Sequence, residues 1–112
     1  MQTSLRALTA RLHAFAAARD WDQWHTPKNL AMALIVEAAE LVEQYQWLTP
    51  EQASEHTNSE EGRAAVADEL ADIAIYLIRL SDVVGIDLEE AILAKIERNE
   101  TRFPPAAKDD DA

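Results

Sequence analysis

Glu37 and Glu40 stand three residues apart, as do Glu69 and Asp72, and each pair sits in a run whose apolar residues recur every three or four positions. Helical residues three apart share a face, so each acidic pair projects from one side of its helix. That side is the apolar one. The first stripe reads Leu30, Leu34, Glu37 and Leu41; the second reads Val66, Glu69, Ile73, Tyr76 and Leu80. Burying an unpaired carboxylate is costly, and two carboxylates about 4 Å apart repel by about 4 kcal/mol at an effective dielectric near 20. Either the acids take up protons or cations lie between them. An oxygen-only donor set selects hard ions, Mg²⁺ first and Mn²⁺ as a substitute. The competing reading of the same spacing turns these acids outward to solvent on ordinary amphipathic faces. A di-iron bundle does not fit, because it requires Glu-x-x-His and none of His13, His25 or His56 follows a glutamate at that spacing.

The elements that must hold these acids are helices. Alternating strand-like segments are absent, alanine is abundant, and the two glycines and four prolines fall where helices would be punctuated. The pattern predicts a first helix over Ser4–Arg19, striped by Leu5, Leu8, Leu12 and Phe15. A loop Asp20–His25 follows, then Thr26-Pro27 as cap and first turn of a second helix running to about Trp47. Glu51 to Gly62 is polar and reads as a short helical turn inside a loop. A third helix begins at Ser59–Glu61 and ends at Val84, with Gly85 as its left-handed terminal residue. Asp87 caps a fourth, which stops before Pro104-Pro105. Residues 1–105 thus read as one all-α domain, a four-helix bundle, and residues 106–112 as an acidic disordered tail. Ile73–Ile78 is apolar nearly all round, which implies a partner chain and a homo-oligomer.

Composition narrows the function classes. The 112 residues carry ten Lys and Arg against twenty-one Asp and Glu, a net charge of −11 with pI near 4.5. A nucleic-acid polymer is not the expected partner, since phosphate backbones are bound by Lys and Arg. No apolar run approaches the roughly 20 residues of a membrane span, and Met1–Arg6 lacks the basic-then-apolar order of a secretion signal. With no cysteine, a disulfide framework, a thiolate nucleophile and a Cys-based zinc site are all excluded. The expected compartment is the cytoplasm.

The acids and their flanking stretches resemble the all-α nucleoside triphosphate pyrophosphohydrolases of the MazG-like superfamily, most closely the dCTP pyrophosphatase branch. The bipartite acidic motif of that superfamily is matched by Glu37-Ala38-Ala39-Glu40 and Glu69-Leu70-Ala71-Asp72. Branch stretches are matched by Arg19-Asp20-Trp21, His25 with Pro27 and Asn29, Gln46-Trp47, Ile75-Tyr76-Leu77, and Lys95 through Asn99 to Phe103-Pro104. The likeness spans about residues 5–105. It implies a Mg²⁺-dependent enzyme that converts a nucleoside triphosphate to monophosphate and pyrophosphate, with dCTP or a related, modified pyrimidine deoxynucleotide as substrate. It also implies a tetramer built as a dimer of dimers, with sites near subunit interfaces. Glu37, Glu40, Glu69 and Asp72 would then ligate metal, with Glu37 or Glu40 orienting the attacking water. Trp21 and Trp47 would flank the base, His25 would serve from the loop, Tyr76 would lie by the sugar, and Lys95 and Asn99 would reach phosphates and sugar. One departure stands out: Leu12 occupies the position of the branch's base-contacting His, with His13 one residue later and rotated by about 100°. The rival readings are a broader NTP or dUTP pyrophosphatase and a non-catalytic helical interaction module.

Overall fold

Five side chains decide where the helices begin. Ser4, Thr26, Thr49, Ser59 and Asp87 each accept a hydrogen bond from the backbone N–H three residues on, at 3.0, 3.2, 3.2, 3.0 and 3.1 Å respectively. Each bond satisfies a donor that a helix start leaves unpaired. In the computed structural model, which describes residues 3–107, these caps open α1 (Leu5–Ala18), α2 (Pro27–Glu43), α3 (Pro50–Asn58), α4 (Glu60–Val83) and α5 (Leu88–Arg102). Asp20, at φ 59°, ends α1 and leads into a single 3₁₀ turn, Trp21–Gln23. No strand occurs among the described residues. The expected tail is described only at Ala106 and Ala107, which have no regular structure; its remainder lies outside the described residues.

The helix count corrects the expectation of four. The Glu51–Gly62 stretch, read as a helical turn within a loop, holds all but the first residue of the nine-residue helix α3. Thr49 and Gln52 form a reciprocal capping box there, with the Thr49 N–H donating to Gln52 Oε1 at 3.0 Å, and Pro50 fills the first helical position. α2 also stops earlier than expected, at Glu43 rather than near Trp47, because the chain tightens into turns that fold α3 back. Two side chains at that corner hold α3 in place. Tyr45 donates its hydroxyl to Thr57 Oγ1 at 2.6 Å, and His56 Nε2 meets Gln44 Oε1 at 2.9 Å. At the α3–α4 junction the backbones approach so closely that a Cβ on Gly62 would fall 1.7 Å from the His56 carbonyl oxygen. The predicted C-terminal glycine of α4 is in place: Gly85 has φ 74°.

α4 is the hub, packed most extensively on α2 and also on α1, α3 and, lightly, α5. Among the described residues few apolar side chains are buried: Ala16, Leu30 and Ile78. Ile75 and Leu77 on α4, Ile35, Val36 and Val42 on α2, and Ile92, Leu93 and Ile96 on α5 remain exposed. The chain is elongated, 61 × 36 × 33 Å, with a radius of gyration of 18.1 Å, where a compact chain near this length has about 13 Å. No helix of the described residues is long and apolar enough to cross a membrane.

Candidate active site

Packing α2 on α4 brings the acids together. Glu37 and Glu40 from α2 and Glu69 from α4 each offer a carboxylate oxygen, and these three atoms lie within 4.8 Å of one another. Glu37 and Glu69 are half-buried and Glu40 is exposed. The Oε2 atoms of Glu37 and Glu69 are buried without any hydrogen-bond partner, and no ion pair reaches the three acids among the described residues. Buried polar atoms are normally satisfied, so two orphaned oxygens in one carboxylate cluster mark a place where something else completes the coordination.

Electrostatics agree with the geometry. Burial, then pairing with the Glu37 and Glu40 carboxyls and the charges of both, pushes the Glu69 carboxyl up from 4.5 to about 7. Carboxyl pairing with Glu69 favours the charged form of Glu37, but burial, pairing with Glu40 and the charges of Glu40 and Asp72 outweigh it, so Glu37 too is raised. Without a cation the cluster relieves its repulsion by holding a proton. Carboxylate oxygens alone, converging and unpaired, fit a hard divalent cation such as Mg²⁺. Glu37, Glu40 and Glu69 could hold it directly. Asp72, one turn beyond Glu69, lies outside the triad on the wall of the adjoining cleft, where its charge is felt by Glu37.

That cleft, of about 490 Å³, opens beside the acids between α1, α4 and the Trp21–His25 turn. One wall is apolar: Leu12, Phe15, Trp21 and Ile75. The Phe15 and Trp21 rings meet edge to face at 5.4 Å, and the Arg19 guanidinium covers the Phe15 ring at 3.5 Å. Glu37, Asp72 and Tyr76 line the acidic side, and His25 sits 5.8 Å from Trp21, ring centre to ring centre. An apolar-walled cleft beside an acidic cluster suits a ligand with an aromatic ring at one end and anionic oxygens at the other. A second, shallower hollow on the far side of the cluster is lined by Glu40, Gln44, His56 and Glu69.

The remaining expected residues stand apart from this cleft. Trp47 is 86% exposed beyond the end of α2. Lys95 and Asn99 lie on α5, which contributes nothing to the cleft wall of its own chain. Leu12 faces the cleft, whereas His13 is drawn away to Asp82 Oδ2 at 3.3 Å.

Arg79 escaped the sequence reading. The residue is 3% exposed, lines the cleft and donates through its guanidinium to His25, Asp22 and Asp82. The signal was available. Asp72, Tyr76 and Arg79 follow one another at four and three residues, so the arginine continues the acidic face of α4, with Asp82 three residues on. What hid it was the absence of any sequence link to the Asp22–His25 turn.

A sequence model of the MazG-like family matches residues 32–111. The chain is 46% identical over 95 residues to dCTP pyrophosphatase 1 of Bos taurus, covering 84% of this chain and 56% of that protein. The Homo sapiens protein of the same name is 45% identical over 95 residues with the same coverage. The chain thus spans about half the length of the curated relatives it matches. The crystal structure of a pyrophosphatase from Archaeoglobus fulgidus superposes with a TM-score of 0.83 at 37% identity, covering 94% of this chain and 96% of that one. The family match spans most of the chain, relatives and fold agree with it, and both acidic pairs fall inside it: the chain belongs to the MazG-like family.

Proposed function

We propose that this chain is a Mg²⁺-dependent nucleoside triphosphate pyrophosphohydrolase, acting on dCTP or a related pyrimidine deoxynucleotide and releasing monophosphate and pyrophosphate. The observation that carries the reading is the carboxylate triad with two orphaned buried oxygens beside an aromatic-walled cleft. The names of the matched relatives, dCTP pyrophosphatase 1 and a pyrophosphatase, point the same way.

Glu37, Glu40, Glu69 and Asp72 are the ligand set in this reading. A bound divalent ion supplies neutralisation of the polyphosphate and a more acidic water. The chain's own residues do the rest. Trp21 stacks on the base and Tyr76 packs at the sugar. Glu37 or Glu40 orients the water and accepts its proton as the α–β anhydride bond breaks. Leu12 gives the cleft an apolar wall and His13 is engaged elsewhere, which favours a second reading in which the base preference is broader or turned toward dUTP.

Trp47, Lys95 and Asn99 stand away from the cleft of their own chain, so in this reading a partner chain's copies serve it. A homo-oligomer, a tetramer arranged as a dimer of dimers, also accounts for the surface. A compact monomer of 12.5 kDa exposes about 6,200 Å², and this chain exposes 8877 Å². We assign residues 1–105 to one catalytic domain, residues 106–112 to a tail, and the protein to the cytoplasm. Pyrophosphate release from a panel of ribo- and deoxynucleoside triphosphates with Mg²⁺ tests the proposal. Turnover fastest with dCTP or a modified cytosine is expected; a folded protein silent on the whole panel overturns it.

A further inference from the structure

Arg79 is a buried cation, and a buried cation must be paired to be tolerated. Its three partners come from both sides of the cleft. Nη1 donates to Asp82 Oδ2 on its own helix at 3.1 Å, Nη2 donates to Asp22 Oδ1 in the 3₁₀ turn at 3.2 Å, and Nε donates to His25 Nδ1 at 3.1 Å. Two of the three therefore reach across to the segment that carries Trp21. Asp20, in the left-handed region at φ 59°, makes that segment a sharp reversal. Asn29 Nδ2 ties it at the other end by donating to the Trp24 carbonyl at 3.0 Å.

The bond to His25 has a chemical consequence. A guanidinium in a protein is always protonated and only donates, so the nitrogen it meets must be the unprotonated one. A neutral imidazole carries its single hydrogen on the other nitrogen. Burial and the Arg79 charge outweigh the nearby Asp22 carboxylate and hold His25 below its ordinary 6.5, which keeps the ring in that neutral form.

We propose that Arg79 is a positioning residue for substrate recognition, holding the Trp21–His25 turn against α4 and leaving His25 only a donor, its Nε2–H, to offer the ligand. This rests on the nucleotide reading above. With the base on Trp21, the donor beside it meets an acceptor on the base edge, a ring carbonyl or an unprotonated ring nitrogen. A group that is acceptor-deficient at that edge is rejected, because one of the paired groups is then left unsatisfied.

The test has two arms. Long-range ¹H–¹⁵N NMR of the imidazole rings in the whole, nucleotide-free protein at neutral pH reads the tautomer directly, and a His25→Gln spectrum assigns the signal. An unprotonated Nδ1 with a protonated Nε2 is expected; an Nδ1–H tautomer or a doubly protonated ring overturns the proposal. In steady-state kinetics, His25→Leu raises KM about tenfold with kcat within about twofold, the effect of one lost hydrogen bond. His25→Gln, whose amide can both accept from Arg79 and donate onward, stays within about threefold of the natural chain. Arg79→Met, which also releases Asp22 of the turn, raises KM at least as much as His25→Leu does, and the two combined fall short of the product of the singles, since both act through the Arg79–His25 bond. Equal losses in kcat and KM, or effects that multiply, overturn it; if Arg79→Met does not fold, the tautomer and the His25 pair still decide. Silence on all nucleotides with an Nε2–H tautomer overturns the nucleotide reading and this recognition role with it, leaving only the Arg79–His25 pairing. Normal turnover with an Nδ1–H tautomer overturns this inference alone.

Discussion

With no divalent ion bound, the Glu69 carboxyl is pushed up from 4.5 to about 7 by burial and by the neighbouring Glu37 and Glu40 carboxyls. Its folded pKa then exceeds its unfolded one, so the protonated form favours the fold. That contribution is complete below about pH 4.5 and is lost as pH rises through about 7. Thermal melting in EDTA should therefore fall between about pH 5 and about pH 8, and saturating Mg²⁺ should flatten the curve. A melt that is flat in EDTA would contradict the buried triad. Glu40 and Asp72 both push Glu37 upward. Glu40→Gln and Asp72→Asn should accordingly raise the melting temperature in EDTA while lowering turnover by at least about a hundredfold. Normal turnover in both variants would remove them from the ligand set. Trp21→Ala should raise nucleotide KM about tenfold or more, the worth of one base–aromatic stack, with Mg²⁺ affinity unchanged by calorimetry.

At the scale of elements, α3 shows how local chemistry overrides a polar composition. Its residues carry no buried apolar side chain, so nothing in hydrophobic periodicity marks it. The capping box, Pro50 and the Tyr45–Thr57 and Gln44–His56 bonds order it instead. Gly62 lets α3 and α4 meet at that point. Gly62→Ala should destabilise by about 1–3 kcal/mol, as overpacking does, seen as a lower urea midpoint. Thr49→Ala should cost about 1 kcal/mol through loss of the cap. A neutral Gly62→Ala would mean that the junction is looser than the 1.7 Å approach requires. The starts of α1, α4 and α5 carry the capping side chains Ser4, Ser59 and Asp87, and Gly85 terminates α4, which made those boundaries legible. The early end of α2 was not, because the residues after Glu43 are as helix-compatible as those before it and only their bonds to α3 turn the chain.

For the whole molecule, the elongated shape and the uncovered apolar residues of α2, α4 and α5 describe a chain with more surface than one copy can bury. Ile92→Asp with Ile96→Asp should split the proposed oligomer, read as a drop in mass by light scattering, and should reduce turnover with it. A natural chain that runs as a monomer, fully active, would remove the partner's α5 from the site.

Spacing along the chain was enough to establish four of the five helices, most of their starts and the two acidic pairs, because helical periodicity and capping are set by residues within a turn or two of each other. It was not enough to separate inward from outward acids, since a three-residue spacing is the same on either face. Only the packing of α2 on α4 brought Glu37, Glu40 and Glu69 within 4.8 Å. Only the return of the Asp22–His25 turn onto α4 gave Arg79 two of its three partners, 54 and 57 residues away along the chain. Contacts between residues so far apart depend on how the elements stack, and no local pattern encodes them.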